Sequence, residues 1–161
     1  MKHEENDHII LRPFMAQGHL RPFLHLATIL SHKPELIITI LTTPINAVNL
    51  RQKITNYKNI IISELPFNGK DYDLPENVEN TEKLPLPHVI NLFHSSTSLE
   101  PHVEEYIKCR LTRPPLAVIF DNFLGWGDRV ARKFGSVGIA FSTGGAYGTT
   151  AYVSIWCNLP H

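Results

Sequence analysis

Two side chains have the type and setting for proton transfer: His19 and Asp121. His19 follows a short apolar run, His8 to Leu11, and precedes an amphipathic segment, Leu20 to Ser31, so it falls at the elbow between a strand and a helix. Asp121 follows a second apolar run, Leu116 to Phe120, and opens the stretch Asp121-Asn122-Phe123-Leu124-Gly125-Trp126. A neutral imidazole accepts a proton near neutral pH. A carboxylate on its other nitrogen fixes the tautomer and stabilises the imidazolium that forms. Together they can deprotonate a bound alcohol or phenol. No G-x-S-x-G elbow supplies a serine nucleophile. A plainer alternative stays open on spacing alone: His19 caps its helix and Asp121 caps a turn.

The pair works only if the fold joins residues a hundred positions apart. Strand patterns are read at His8–Phe14, Leu36–Leu41, Ile60–Leu65, Leu116–Phe120 and Val137–Phe141. Helix patterns alternate with them, at Leu20–Ser31, Ile45–Lys53, His88–Leu111, Gly127–Phe134 and Ala146–Cys157. Pro22 is expected in the first helical turn, Thr43 as a helix cap before Pro44, and Pro101 as a break with Ser98 as a new cap. Gly18 is expected to take the backbone angles of a sharp turn before the first helix. Alternation of this kind predicts an α/β fold, a doubly wound parallel sheet of Rossmann-like type. In the strand order 3-2-1-4-5, strands one and four are neighbours at the point where the sheet reverses, and ligands bind there. The loops carrying His19 and Asp121 then face each other.

Composition narrows the classes. The chain has 161 residues, 43% apolar and 19% charged, with zero net charge, which suits one soluble domain. Zero net charge offers no basic surplus for nucleic acid, and no run is apolar enough to span a bilayer. Residues 1–7 read as a polar tail unlike an export signal, and 8–161 as the domain. Cys109 and Cys157 read as free thiols, so the expected location is cytoplasmic. The histidines show no metal-ligand spacing, and no G-x-G-x-x-G or P-loop marks a nucleotide cofactor. His25, His32, His88, His94 and His102 read as surface residues. Pro66–Pro87 is long, polar and proline-rich, which fits either a functional loop or a disordered insertion. Phe120, Phe123, Trp126, Phe141 and Tyr147 gather near two strand ends, as core or as the wall of a pocket for a flat apolar molecule.

The stretch Phe14-Met15-Ala16-Gln17-Gly18-His19-Leu20-Arg21-Pro22-Phe23-Leu24 resembles the opening motif of plant UDP-dependent glycosyltransferases. Phe120-Asp121-Asn122-Phe123 with Trp126 resembles a second family signature, with Phe120 where a serine is usual. Thr42-Thr43-Pro44 with Asn46, and Phe141-Ser142-Thr143 with Ala146, fit in the same order. The resemblance implies the N-terminal half of a two-domain GT-B enzyme, with the C-terminal donor-binding domain absent from this chain. It implies inverting transfer of a sugar, commonly glucose, from a UDP-sugar to a small lipophilic acceptor such as a phenol or terpenoid. No metal or other cofactor is implied, and no nucleic-acid or membrane partner. By position it makes His19 the base and Asp121 its partner. Gly18, Phe14, Phe123 and Trp126 fall on the acceptor side, and Thr143 at a donor contact. The alternative is a non-catalytic small-molecule-binding fragment or pseudoenzyme.

Overall fold

The structure, a computed structural model, describes residues 6–158, so the first five residues of the expected polar tail and the terminal Leu159-Pro160-His161 lie outside the described residues. Five parallel strands form one sheet: β1 (Asp7–Arg12), β2 (Leu36–Thr42), β3 (Ile60–Glu64), β4 (Ala117–Asp121) and β5 (Val137–Phe141). Their order is β3-β2-β1-β4-β5, as the sequence predicts. Ile9, Ile10, Leu11 and Arg12 of β1 lie opposite Ala117, Val118, Ile119 and Phe120 of β4. This register brings the ends of the two strands side by side.

Six helices accompany the sheet: α1 (Gln17–Leu30), α2 (Pro44–Arg51), α3 (Val89–Ser96), α4 (Glu100–Arg110), α5 (Trp126–Lys133) and α6 (Ala146–Cys157). Of these, α1 and α2 pack on one face and α3, α4 and α5 on the other. Strand side chains alternate between faces. Ile9, Leu11, Ile38 and Ile40 therefore pack with Leu20, Phe23 and Ala27 of α1 and with Ala47 and Leu50 of α2. Ile10, Leu41 and Val118 point the other way, among Leu92, Leu99, Val103, Ile107 and Val130.

Several local expectations are corrected. β1 ends at Arg12 and α1 starts at Gln17, because the Ala16 carbonyl already accepts from the His19 and Leu20 N–H groups. Pro22 thus falls inside the helix rather than in its first turn. Gly18 is helical, and an added Cβ would meet nothing, so no special backbone angle requires glycine there. Thr43 does not cap α2; its hydroxyl accepts from the Asn46 amide at 2.8 Å, while the Glu79 carboxylate takes the Ile45 N–H at 2.7 Å. Ser98 does not cap α4 either, since its hydroxyl donates to the Ser95 carbonyl. A short 3-10 turn, Thr97–Leu99, makes the break before Pro101.

The Pro66–Pro87 segment is an ordered cover. It forms short 3-10 turns at Lys70–Tyr72, Thr81–Lys83 and Leu86–His88, and it buries Leu74 and Leu84 in the core. The Asn80 amide donates to Asn46 Oδ1 at 2.9 Å, and the Thr81 N–H donates to the Met15 carbonyl at 3.3 Å. The latter bond ties the cover to the loop that leads into His19.

Candidate functional site

The site forms where the segments after β1, β4 and β5 converge. His19 is the third residue of α1, and Asp121 is the last of β4. The carboxylate is fully buried and accepts at both oxygens. Phe123 N–H donates to Oδ1 at 3.0 Å, Phe14 N–H lies 3.4 Å from Oδ2, and His19 Nδ1 is 2.6 Å from Oδ2. A carboxylate has no proton to give, so Nδ1 carries the hydrogen, and in the neutral ring Nε2 is the bare nitrogen. The Thr143 hydroxyl oxygen, 3.1 Å from Nδ1, is a second and longer acceptor for the same N–H. The imidazole side chain is only 18% exposed, which leaves one polar edge for a ligand.

Aromatic rings form the rest of the surround. Phe14 stacks on Phe93 of α3 with ring centres 4.5 Å apart, and Phe123 meets Phe93 at 5.0 Å. The His19 ring lies 4.9 Å from Phe123 and 5.6 Å from Phe14. Phe123 is 40% exposed, a large apolar face left open beside the imidazole. A cavity of about 230 Å³ adjoins this point, lined by His19, Asn122, Phe123, Thr143, Thr149 and Tyr152 among others. Its size and mixed lining suit part of a small organic molecule.

Of the residues singled out in the sequence, His19, Asp121, Phe14, Phe123 and Thr143 come together here. Trp126 does not: it is buried in the core, and Arg12 lies over its ring at 5.8 Å. Gly18 is exposed on the first turn of α1. Of the other strand-end aromatics, Phe141 packs edge-on against Phe23, and Tyr147 stands 91% exposed. Phe93 was not among the residues the sequence singled out, because an amphipathic helix offers no way to tell a site-facing ring from a core ring. Arg12 was missed too: it sits in an apolar strand yet is fully buried. Burial pushes its guanidinium down to about 10, and Asp121 pulls it partly back. Among the described residues no cluster of histidine, cysteine and carboxylate side chains could hold a metal ion, and no helix is long and apolar enough to cross a membrane.

No family model matches the sequence. Individual proteins do. The chain is 42% identical to crocetin glucosyltransferase 3 of Crocus sativus over 96% of its own length and 34% of that protein. It is 36% identical to UDP-glycosyltransferase 92A1 of Arabidopsis thaliana over 97% of its length and 34% of that protein. The chain thus spans about a third of the length of these curated relatives. Among solved structures it resembles UGT89C1 of Arabidopsis thaliana complexed with UDP-L-rhamnose, with a TM-score of 0.75 and 25% identity. That match covers 84% of this chain and 36% of the other.

Proposed function

We propose that this chain, which by sequence belongs with the plant UDP-glycosyltransferases and spans about a third of their length, supplies the acceptor site and the base for sugar transfer. The sugar, glucose in the first instance, comes from a UDP-sugar. The acceptor is the hydroxyl of a small lipophilic molecule, phenolic or terpenoid. The observation that carries this reading is the 2.6 Å bond from His19 Nδ1 to the buried Asp121, which leaves Nε2 as the acceptor of a proton.

In the proposed step the acceptor lies against the exposed face of Phe123 with its hydroxyl at His19 Nε2. The acceptor oxygen attacks the sugar's anomeric carbon as its proton passes to Nε2. The bond from that carbon to the UDP oxygen breaks, and UDP leaves with the electron pair. Attack opposite the leaving group inverts the anomeric centre. Asp121 stabilises the imidazolium formed, and Thr143 stands on the side where donor and acceptor meet. The step draws on no metal.

The test uses this chain joined to the remaining two-thirds of a relative, supplied with UDP-glucose and a pool of phenols and terpenoid alcohols. Mass spectrometry is expected to find glucoside, and His19→Ala to slow its formation by about 10²–10⁴-fold. A folded chimera that binds acceptors but transfers nothing, with or without His19, would replace this reading with that of a binding module.

A further inference from the structure

Arg12 is a fully buried cation with no carboxylate in hydrogen-bond contact among the described residues. Its Nη1 donates to the Pro13 carbonyl and lies 3.5 Å from the Leu41 carbonyl. Its Nε and Nη2 have no partner among the described residues. The ring of Trp126 sits beneath the guanidinium at 5.8 Å. Burying such a charge is costly unless an anion offsets it. The register sets Arg12 opposite Phe120, one residue before Asp121, and that carboxylate is the charge that draws the guanidinium's proton affinity back up. Asp121 therefore faces two partners, the Arg12 guanidinium from within the sheet and the His19 imidazole at the crevice.

We propose that Arg12 is a positioning residue for the His19–Asp121 pair, its buried charge competing with an imidazolium for the same carboxylate. The physics runs one way. A fixed positive charge beside Asp121 repels an imidazolium and weakens the carboxylate's hold on it. The groups facing this point are Arg12 of β1, Asp121 of β4 and His19 of α1. The neighbouring Leu41 of β2, Phe93 of α3 and Trp126 of α5 are neutral.

Its importance for catalysis rests on the function proposed above, but the test reads the imidazole itself and stands whether or not sugar is transferred. His19 is titrated by nitrogen-15 NMR in the chain, in Arg12→Met and in Arg12→Gln. The glutamine variant keeps a donor for the Pro13 and Leu41 carbonyls. Both neutral variants are expected to raise the His19 midpoint by about half to one pH unit, three- to tenfold tighter proton binding. The two pair-titration curves should agree despite their different shapes. A midpoint unmoved in either folded variant, or moved in one and not the other, would make Arg12 a packing residue and overturn the proposal.

Discussion

β4 and β5 are neighbours in one sheet, yet they live in different surroundings. Every residue of β4 is buried, whereas Val137 to Ala140 of β5 are exposed. The helices that follow them repeat the contrast. α5 buries Trp126, Gly127, Val130 and Ala131, while α6 buries nothing and presents Tyr147, Tyr152, Val153, Ile155 and Trp156 to solvent. Strands of parallel sheets are normally covered on both faces. The difference divides the site as well: Asp121 ends the enclosed strand, and Thr143 follows the exposed one. The His19–Asp121 pair is anchored in enclosed core, and the wall beside it is exposed.

The largest effect expected from this division falls on the enclosed side. Asp121→Asn in the joined enzyme should slow transfer by about 10³–10⁴-fold, because an amide can present its N–H to Nδ1 and favour the wrong imidazole tautomer. Acceptor affinity should change no more than a few-fold, as the aromatic wall is untouched. Paired rate and binding measurements decide it; equal losses in both would mean that Asp121 acts through the pocket's shape.

Stability should divide along the same line. Phe23 is completely enclosed between α1 and the sheet and meets Phe141 edge-on at 5.0 Å, so Phe23→Ala should cost about 3–5 kcal/mol in urea unfolding. Trp156 on α6 is 64% exposed, and Trp156→Ser should change stability by no more than about 0.5 kcal/mol. It should also reduce self-association of the isolated chain, since a broad exposed apolar surface invites contact. A loss at Trp156 as large as that at Phe23 would show that α6 is covered in solution and would erase the contrast.

How much of this was legible follows from which forces set each feature. Continuous apolar runs such as Ile9-Ile10-Leu11 announce enclosed strands, and their alternation with helices gives the sheet order, so the meeting of His19 and Asp121 follows from topology. Helix starts were less legible. Glu79, far along the chain, takes the Ile45 N–H, and no local pattern reveals a cap supplied from a distant loop. The exposure of β5 was hidden because Val-Gly-Ile-Ala-Phe reads as core wherever it occurs. Arg12 was illegible for a third reason: its surroundings come from three strands and a tryptophan brought together only by folding.

The smallest effect sharpens the comparison at the opposite end of the sheet. His8 lies near the start of β1, and its Nδ1 is buried without a partner among the described residues. Burial, and then the positive charge of Arg113, push the imidazole below its ordinary value of 6.5. The unfolded chain therefore binds more protons than the folded one as pH drops below that value, and stability falls with it. The contribution is complete above about pH 6.5 and is lost as pH falls through the lower folded-state value. Arg12 adds no slope in this window, since its proton stays bound in both states until pH nears about 10. His8→Leu should flatten the acid limb of stability while leaving the His19–Asp121 pair unchanged. Urea unfolding at pH 5, 6 and 7, taken as the difference between parent and variant, isolates the effect from the other histidines. Parallel curves would mean that β1 opens at this end before the imidazole charges, and that the enclosed half of the sheet is firm only around the end that carries His19 and Asp121.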